Sequence, residues 1–192
     1  MIPIEAHPLE PFLPANARLL LLGSFPPQQK RWSMDFYYPN LQNDMWRIFG
    51  WIFFENKFHF LLPSLKAFDK DRIVAFLQEK GIAVFDSATQ VRRLQDNASD
   101  KYLEVIEATN IPLLLQQLPQ CEAIVTTGQK STDTLRSQLE VTEPAIGQRS
   151  PFSFKDKEMW LYRMPSSSRA YPKSIEEKSV FYKKMFEELS FL

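Results

Sequence analysis

The sequence predicts an α/β protein built on a mainly parallel sheet of four strands, with helices covering both faces. Four short apolar segments stop abruptly at Gly, Pro or Ser, as buried parallel strands do. Stretches with helical periodicity separate them, and parallel neighbours require crossover connections of this kind. The four predicted strands are residues 17–24, 81–87, 123–128 and 159–165.

Apolar spacing and end signals define the helical segments between these strands. The pattern predicts helices over residues 43–54, 69–81, 99–108, 111–118, 129–139 and 174–189. Gly81 closes the second of them, and Ser174 and Glu177 have capping-box spacing at the start of the last. The proline-rich residues 1–16 are expected to be an extended lead-in on the surface, followed by residues 17–192 in the same single domain.

Composition excludes several classes of protein. A chain of 192 residues with 44% apolar content can bury one sizeable core. The 23 basic and 23 acidic residues cancel, so any contact with a polyanion must be local. The single Cys121 excludes an intramolecular disulfide and fits a reducing compartment. No apolar run approaches the roughly 18 residues of a membrane span. We therefore expect a soluble, cytoplasmic protein. We also expect a monomer, although composition does not bear on the oligomeric state.

Two segments that follow predicted strands are candidate binding loops, because open parallel sheets bind ligands beyond the carboxyl ends of their strands. The first segment, residues 23–46, reads GSFPPQQKRWSMDFYYPNLQNDMW and is long for a connection inside a compact domain. The second segment, residues 164–172, reads MPSSSRAYP and follows the last strand. Prolines make both exits rigid, and the glycine allows close approach of a ligand. We expect the two segments to form one cleft.

These two segments, with GIAVFDS, SDKYLEV and IVTTGQKSTDTL, resemble the uracil-DNA glycosylase superfamily, nearest to its hypoxanthine-DNA and mismatch-type glycosylases. The resemblance covers about residues 17–186. It implies a three-layer α/β/α sandwich and a DNA repair enzyme. Such an enzyme flips a deaminated nucleobase, uracil or hypoxanthine, out of DNA and hydrolyses its N-glycosidic bond without metal or cofactor. The implied partner is DNA that contains a damaged nucleobase.

The resemblance assigns the central roles to two residues. Most of the superfamily has Asp or Asn two positions after the first glycine of the first segment, to position the attacking water. Phe25 stands there in this chain, as an apolar residue does in the hypoxanthine branch, and that branch gives the role to the residue matching Asn43. Tyr38, five residues earlier, matches the aromatic that stacks on the flipped nucleobase. Asn43 is equally well explained as a helix N-cap, so both interpretations stay open.

The other candidates divide between the nucleobase and the DNA backbone. Serine hydroxyls and backbone amides can stabilise a departing nucleobase anion or bind phosphates, and Arg169 or Tyr171 could fill the gap that the nucleobase leaves. The expected contacts to the nucleobase are Gly23, Ser24, Phe25, Tyr38 and Ser166. The expected contacts to DNA are Ser167, Ser168, Arg169 and Tyr171.

Several departures from the family pattern keep a second hypothesis open. Met164 begins the second segment where other members have His or Asn, and Asp44 stands where a basic residue is common. With the phenylalanine at position 25 and zero net charge, these departures allow a catalytically inactive member that binds nucleic acid or a protein partner. Asp86, after the second predicted strand, is either a pocket carboxylate or the cap of a turn.

Other catalytic classes find little support in the sequence. His7 and His59 are too scattered to suggest a triad or a metal site. The first segment lacks the Gly-x-Ser-x-Gly elbow of α/β hydrolases, and five glycines supply no Gly-x-Gly-x-x-Gly turn. No lysine stands out as a Schiff-base nucleophile, so a glycosylase of this sequence is expected to be monofunctional.

Overall fold

A computed structural model describes residues 2–96 and 99–192 of the chain. In chain order the regular elements are β1 (Ile4–Ala6), β2 (Leu19–Gly23), α1 (Met45–Phe54), α2 (Lys70–Lys80), β3 (Ile82–Asp86), β4 (Ala88–Arg93), β5 (Leu103–Ala108), α3 (Ile111–Gln116), β6 (Ala123–Thr127), α4 (Gln129–Arg136), β7 (Gln148–Phe154), β8 (Lys157–Met164) and α5 (Ile175–Glu188).

The main sheet has five strands in the order β3-β2-β6-β8-β7. The four predicted strands are its four parallel members, and β7 adds an antiparallel edge through a hairpin with β8. The prediction of four strands in this sheet was therefore wrong, because the sheet has five. β7 is not a continuous apolar run, because it alternates exposed and buried residues and carries Pro151, a pattern typical of an edge strand. Apolar runs alone therefore do not predict it.

The strand order creates a switch point between β2 and β6. From β2 the chain moves to β3 on one side, and it then returns past β2 to form β6 on the other. In α/β sheets this reversal opens a crevice at the carboxyl ends of the two strands. Every residue of β2, β3 and β6 is buried, so helices and loops cover both faces of the sheet, as in a three-layer arrangement.

A second sheet of three antiparallel strands, β1-β4-β5, was not predicted. The predicted helix over residues 99–108 is wrong, because Asp100–Tyr102 forms a short 3-10 turn and the rest is strand β5. β5 is paired along its length with β4, so tertiary pairing overrides the weak helical pattern.

The N-terminal segment, residues 1–16, forms hydrogen bonds with both sheets instead of lying on the surface as an extended lead-in. Met1 lies outside the described residues. β1 forms the edge of the second sheet. Phe12 exchanges two backbone hydrogen bonds with Val84 of β3, with N to O distances of 3.0 and 2.9 Å. The N-terminal segment is thus hydrogen-bonded to both sheets.

The five other predicted helices are present, with ends shifted by up to three residues. Gly81 adopts the left-handed conformation that ends α2, and Ser174 and Glu177 form the expected capping box of α5. α1 and α5 pack against each other, with Phe49 edge-on to Phe186. Within the described residues, none of the helices has the length and apolar character needed to cross a bilayer.

Candidate functional site

A cavity of about 900 Å³ lies beyond the carboxyl ends of the parallel strands, and we call it the strand-end cavity. Residues that follow β2, β3, β6 and β8 line it. The residues predicted from the sequence as a site all lie on its walls: Gly23, Ser24, Phe25, Tyr38, Asn43, Ser166, Ser167, Ser168, Arg169 and Tyr171. The structure thus brings the predicted residues together, while the role of each stays a prediction.

Backbone hydrogen bonds join the first and second segments along one wall of the cavity. Asp44 N donates to Ser167 O at 2.8 Å, and Arg169 N donates to Gln42 O at 3.0 Å. Asn43 and Ser168 face each other as an antiparallel bridge between these two bonds. Residues 42–44 and 167–169 therefore form a short antiparallel ribbon on the cavity wall, which we call the ribbon.

A cluster of charges around the buried Asp44 carboxylate stabilises this ribbon. The Asp44 carboxylate lies 3.1 Å from Arg169 Nε, 3.4 Å from Lys178 Nζ and 3.6 Å from the nearest Arg47 guanidinium nitrogen. Lys178 is completely buried and also donates to Ser168 O at 2.8 Å. Burial, followed by the nearby charge of Arg169, lowers the pKa of Arg47. The unexpected acid at position 44 is thus the shared anion of three cations.

The cluster also limits what the second segment can do. Arg169 has its Nε committed to Asp44, so its guanidinium is less free to replace an extruded nucleobase. Ser167 is 2% exposed and supports the ribbon through its carbonyl, rather than presenting its hydroxyl to a DNA backbone. Ser166 and Ser168 each accept a backbone N–H at 3.2 Å, which leaves their hydroxyl hydrogens able to donate.

Asn43 lies at the start of α1, and its two polar side-chain atoms have different surroundings. Oδ1 accepts a hydrogen bond from Met45 N at 3.0 Å, so the oxygen supports the first turn of the helix. The Nδ2 group has no hydrogen-bond partner among the described residues and belongs to a residue on the cavity wall. The N-cap of α1 is Asp44, which makes no side-chain capping bond, so Asn43 supports the helix start from one residue earlier and is not its N-cap. This use of the oxygen is compatible with a ligand-binding role for the NH₂ group.

Tyr38 is the member of the aromatic triplet 36–38 that lines the cavity, whereas Phe36 and Tyr37 are buried in the main core. Its φ of 50° is unusual for an aromatic residue, and such strain is typical of functional sites. The ring packs edge-on against Trp46, and Oη bonds Thr127 Oγ1 at 3.1 Å. Burial, followed by the charge of Asp86, raises the pKa of Tyr38 well above its usual value. The phenol therefore stays neutral.

Phe25 belongs to a small second core rather than to the centre of the cavity. Its ring packs with Ala88, Val91 and Leu103 beneath the second sheet. It also meets His7 edge-on, with 5.2 Å between ring centroids. The phenyl group forms one wall and leaves the cavity open.

Asp86 is one of three carboxylates that the described residues bring to the cavity wall, and the structure supports its interpretation as a pocket residue. It ends β3, is 5% exposed and lines the cavity. His7 Nε2 donates to its Oδ2 at 2.9 Å, a contact between residues 79 positions apart in the sequence. A Cβ on Gly23 would lie 2.2 Å from Asp86 Oδ1 and 3.0 Å from Tyr38 Oη. Gly23 is therefore required because these two groups approach the strand end.

Asp100 is another of these carboxylates, and it is not among the predicted site residues because the sequence pattern predicts a helix over residues 99–108. It lines the cavity and hydrogen-bonds with the Ser24 side chain. Burial raises the pKa of Asp100, and the negative charge of Asp86 raises it further, against the effect of the Ser24 bond. The only sequence feature that points to Asp100 is its place in the SDKYLEV segment, just before strand β5.

The cavity wall also carries basic side chains that could meet a polyanion locally. They come from four different parts of the chain: Arg31, Lys101, Lys130 and Arg169. Of these, Lys130 lies in the first turn of α4, next to the end of β6. A chain with zero net charge thus has positive groups around this one opening.

Comparisons with known proteins agree with this architecture. No family model matches the chain, and no curated protein matches it. Among solved structures, the chain is similar to a solution NMR structure described as "a putative Uracil DNA glycosylase from Methanosarcina acetivorans". The TM-score is 0.57 with 20% sequence identity, over 95% of this chain and 98% of that chain. At this identity the likeness shows a shared mixed α/β fold.

Proposed function

We propose that this protein is a monofunctional DNA glycosylase that hydrolyses the N-glycosidic bond of a flipped deaminated nucleobase, uracil or hypoxanthine. The proposal rests on one observation above all: two segments more than 100 residues apart line a single cavity at the switch point of the sheet. The fold shared with the Methanosarcina acetivorans protein supports it, as does the resemblance of both segments to the uracil-DNA glycosylase superfamily.

The cavity has the features that a flipped nucleobase needs. Tyr38 offers a ring whose position is fixed at Oη by Thr127 and at its edge by Trp46. Stacking on an aromatic ring contributes roughly 1–3 kcal/mol per nucleobase. This is comparable with the few kcal/mol needed to unstack a damaged nucleobase from DNA. A preoriented ring therefore offsets much of the cost of flipping.

Bond cleavage requires stabilisation of the departing nucleobase. As the bond to C1′ breaks, the sugar gains positive charge and the nucleobase leaves with the electron pair. Donors fixed before the reaction stabilise that anion without reorganisation. Candidate donors on the wall are the backbone amides of Ser24 and Phe25, the Ser166 hydroxyl and the unpartnered NH₂ group of Asn43. In this scheme the Asn43 oxygen holds the helix and its NH₂ group serves the substrate.

The DNA backbone would follow the rim of the cavity. Lys101, Lys130 and Ser168 can contact phosphates from three sides, and Tyr171 is a neutral side chain that could enter the duplex. Phosphate contacts of this kind make binding depend on salt concentration. A rise in salt is therefore expected to weaken binding to any DNA sequence to a similar degree.

A cleavage assay tests the proposed function. Purified protein is incubated with labelled oligonucleotides that carry uracil, hypoxanthine or xanthine, and alkali then converts abasic sites into breaks. We expect breaks with at least one of the first two. Asn43→Ala should reduce single-turnover cleavage on the order of 100-fold. Asn56→Ala, which changes an asparagine outside the cavity, should cleave at the wild-type rate.

Tyr38→Ala tests the stacking role separately. Loss of one stacking contact should weaken binding to the intact oligonucleotide that the wild-type protein cleaves, roughly 5- to 150-fold. Unchanged affinity would contradict the stacking assignment. Binding of the wild-type protein to all oligonucleotides without any breaks would instead favour the catalytically inactive, nucleic-acid-binding member.

A further inference from the structure

The proposed hydrolysis needs a proton acceptor for the attacking water, and the residues of the two segments that line the cavity include no carboxylate. Phe25 has no polar atom, and the Asn43 oxygen already accepts from Met45 N. An amide can orient a water molecule, but it is too weakly basic to take its proton. The acceptor is therefore sought among the carboxylates that the described part of the chain brings to the cavity: Asp86, Asp100 and Asp133.

Of these carboxylates, Asp86 has the most closely defined position. It ends the fully buried parallel strand β3, whereas Asp100 lies on a 3-10 turn and Asp133 lies on the exposed face of α4 beside Gln129. Its Oδ1 lies over Gly23, at the carboxyl end of the neighbouring strand. The charge of Asp86 also acts on Asp100 and on Tyr38, so all three polar groups share one space.

A buried histidine that does not belong to the cavity lining orients the Asp86 carboxylate. His7 has a side chain only 4% exposed, and its Nε2 donates to Asp86 Oδ2 at 2.9 Å. Its Nδ1 lies 3.1 Å from Leu9 N and 2.9 Å from Leu9 O, so it can accept from the amide or donate to the carbonyl. In either state Nε2 carries the proton that Asp86 accepts. One carboxylate oxygen is thus held and the other is left for a ligand.

We propose that Asp86 is the proton acceptor of the hydrolysis and that His7, from the N-terminal segment, is its positioning residue. This inference rests on the proposed glycosylase function. The water oxygen forms a bond to C1′, the C1′–N bond breaks, and its electron pair leaves on the nucleobase. One water proton passes to Asp86 Oδ1 and then to solvent, and the released anion takes a proton from solvent. An acceptor oriented by a third group follows the general logic of activated nucleophiles.

The decisive experiment compares single-turnover cleavage with substrate binding in matched variants. Asp86→Asn should lower the cleavage rate roughly 100- to 10,000-fold while substrate affinity changes only a few-fold, because proton transfer is lost and the shape is kept. Asp71→Asn removes a carboxylate outside the cavity and should cleave at the wild-type rate. Circular dichroism and thermal unfolding check that each variant is folded.

His7 is tested by rescue. The side-chain amide of Gln places its nitrogen near the position of His Nε2 and can donate to Asp86, whereas Leu cannot. We expect His7→Leu to lose most of the cleavage rate at saturating substrate and His7→Gln to recover a large part of it. A merely structural His7 would give equal losses in both variants. This pair also keeps the inference testable if Asp86→Asn does not fold.

Three results would overturn the inference. Cleavage by Asp86→Asn within about threefold of wild type would remove Asp86 from the reaction while leaving the glycosylase function intact. A large loss in Asp100→Asn with full activity in Asp86→Asn would assign the acceptor to the other carboxylate. A wild-type protein that cleaves none of the oligonucleotides would end both the inference and the proposed function.

Discussion

Replacement of Asp44 by asparagine should destabilise the protein strongly. The Asp44 carboxylate is 4% exposed and is the shared anion of three cations, of which Lys178 is completely buried. Asp44→Asn leaves the buried Lys178 and the nearly buried Arg47 without a counter-charge, and breaking a buried ion pair from one side costs about 3–5 kcal/mol. For a chain of this size each kcal/mol lowers Tm by about 2–4 °C, so the expected decrease in Tm is about 6–20 °C.

Urea unfolding at constant pH, with a thermal scan beside it, measures this effect. Glu176→Gln is the matched control, because Glu176 pairs with Lys57 at 3.8 Å on the exposed surface, where ion pairs contribute about 0–1 kcal/mol. The double variant Asp44→Asn with Lys178→Met should be more stable than Asp44→Asn alone, since the completely buried charge is removed as well. A free energy of unfolding for Asp44→Asn within 1 kcal/mol of wild type, a threshold set by that exposed-pair range, would refute the reasoning.

Two further predictions concern the floor of the cavity. Gly23→Ala would place a Cβ 2.2 Å from Asp86 Oδ1, so the carboxylate must move, and single-turnover cleavage should fall on the order of 100-fold; a wild-type rate would contradict this. Because the pKa of Asp100 is raised in the folded state, its contribution to stability declines as pH rises from the unfolded value through the folded one. Asp100→Asn lacks that decline, so its free energy of unfolding should rise relative to that of wild type between about pH 3.5 and 7. Urea unfolding of both proteins measures the two profiles, and parallel profiles would contradict the prediction.

The parallel strands and most helices could be predicted because their signals are local. β2, β3 and β6 are short apolar runs buried on both faces, and Ser174 and Glu177 mark the start of the last helix. β4, β5 and β7 could not be predicted in this way. They alternate polar and apolar residues and depend on pairing with partners that sequence periodicity does not identify.

The same distinction between local signals and long-range contacts applies to the candidate site. Residues of the two segments could be selected because the segments are unusual in themselves, and the switch point of the sheet brings them together. The contact between His7 and Asp86 could not be predicted, because it depends on the second sheet placing the N-terminal segment against β3. Likewise, the role of Asp44 depends on Lys178, which is 134 residues away in the chain.

The ribbon between residues 42–44 and 167–169 has a consequence for biosynthesis. Its two strands come from opposite ends of the chain, and closing so long a loop is entropically unfavourable until the intervening sheet exists. A ribosome-bound chain that has emerged only as far as β6 already contains Tyr38 and Asn43, yet it lacks the partner that aligns them. The wall of the strand-end cavity should therefore be completed only after β8 and the second segment have been synthesised.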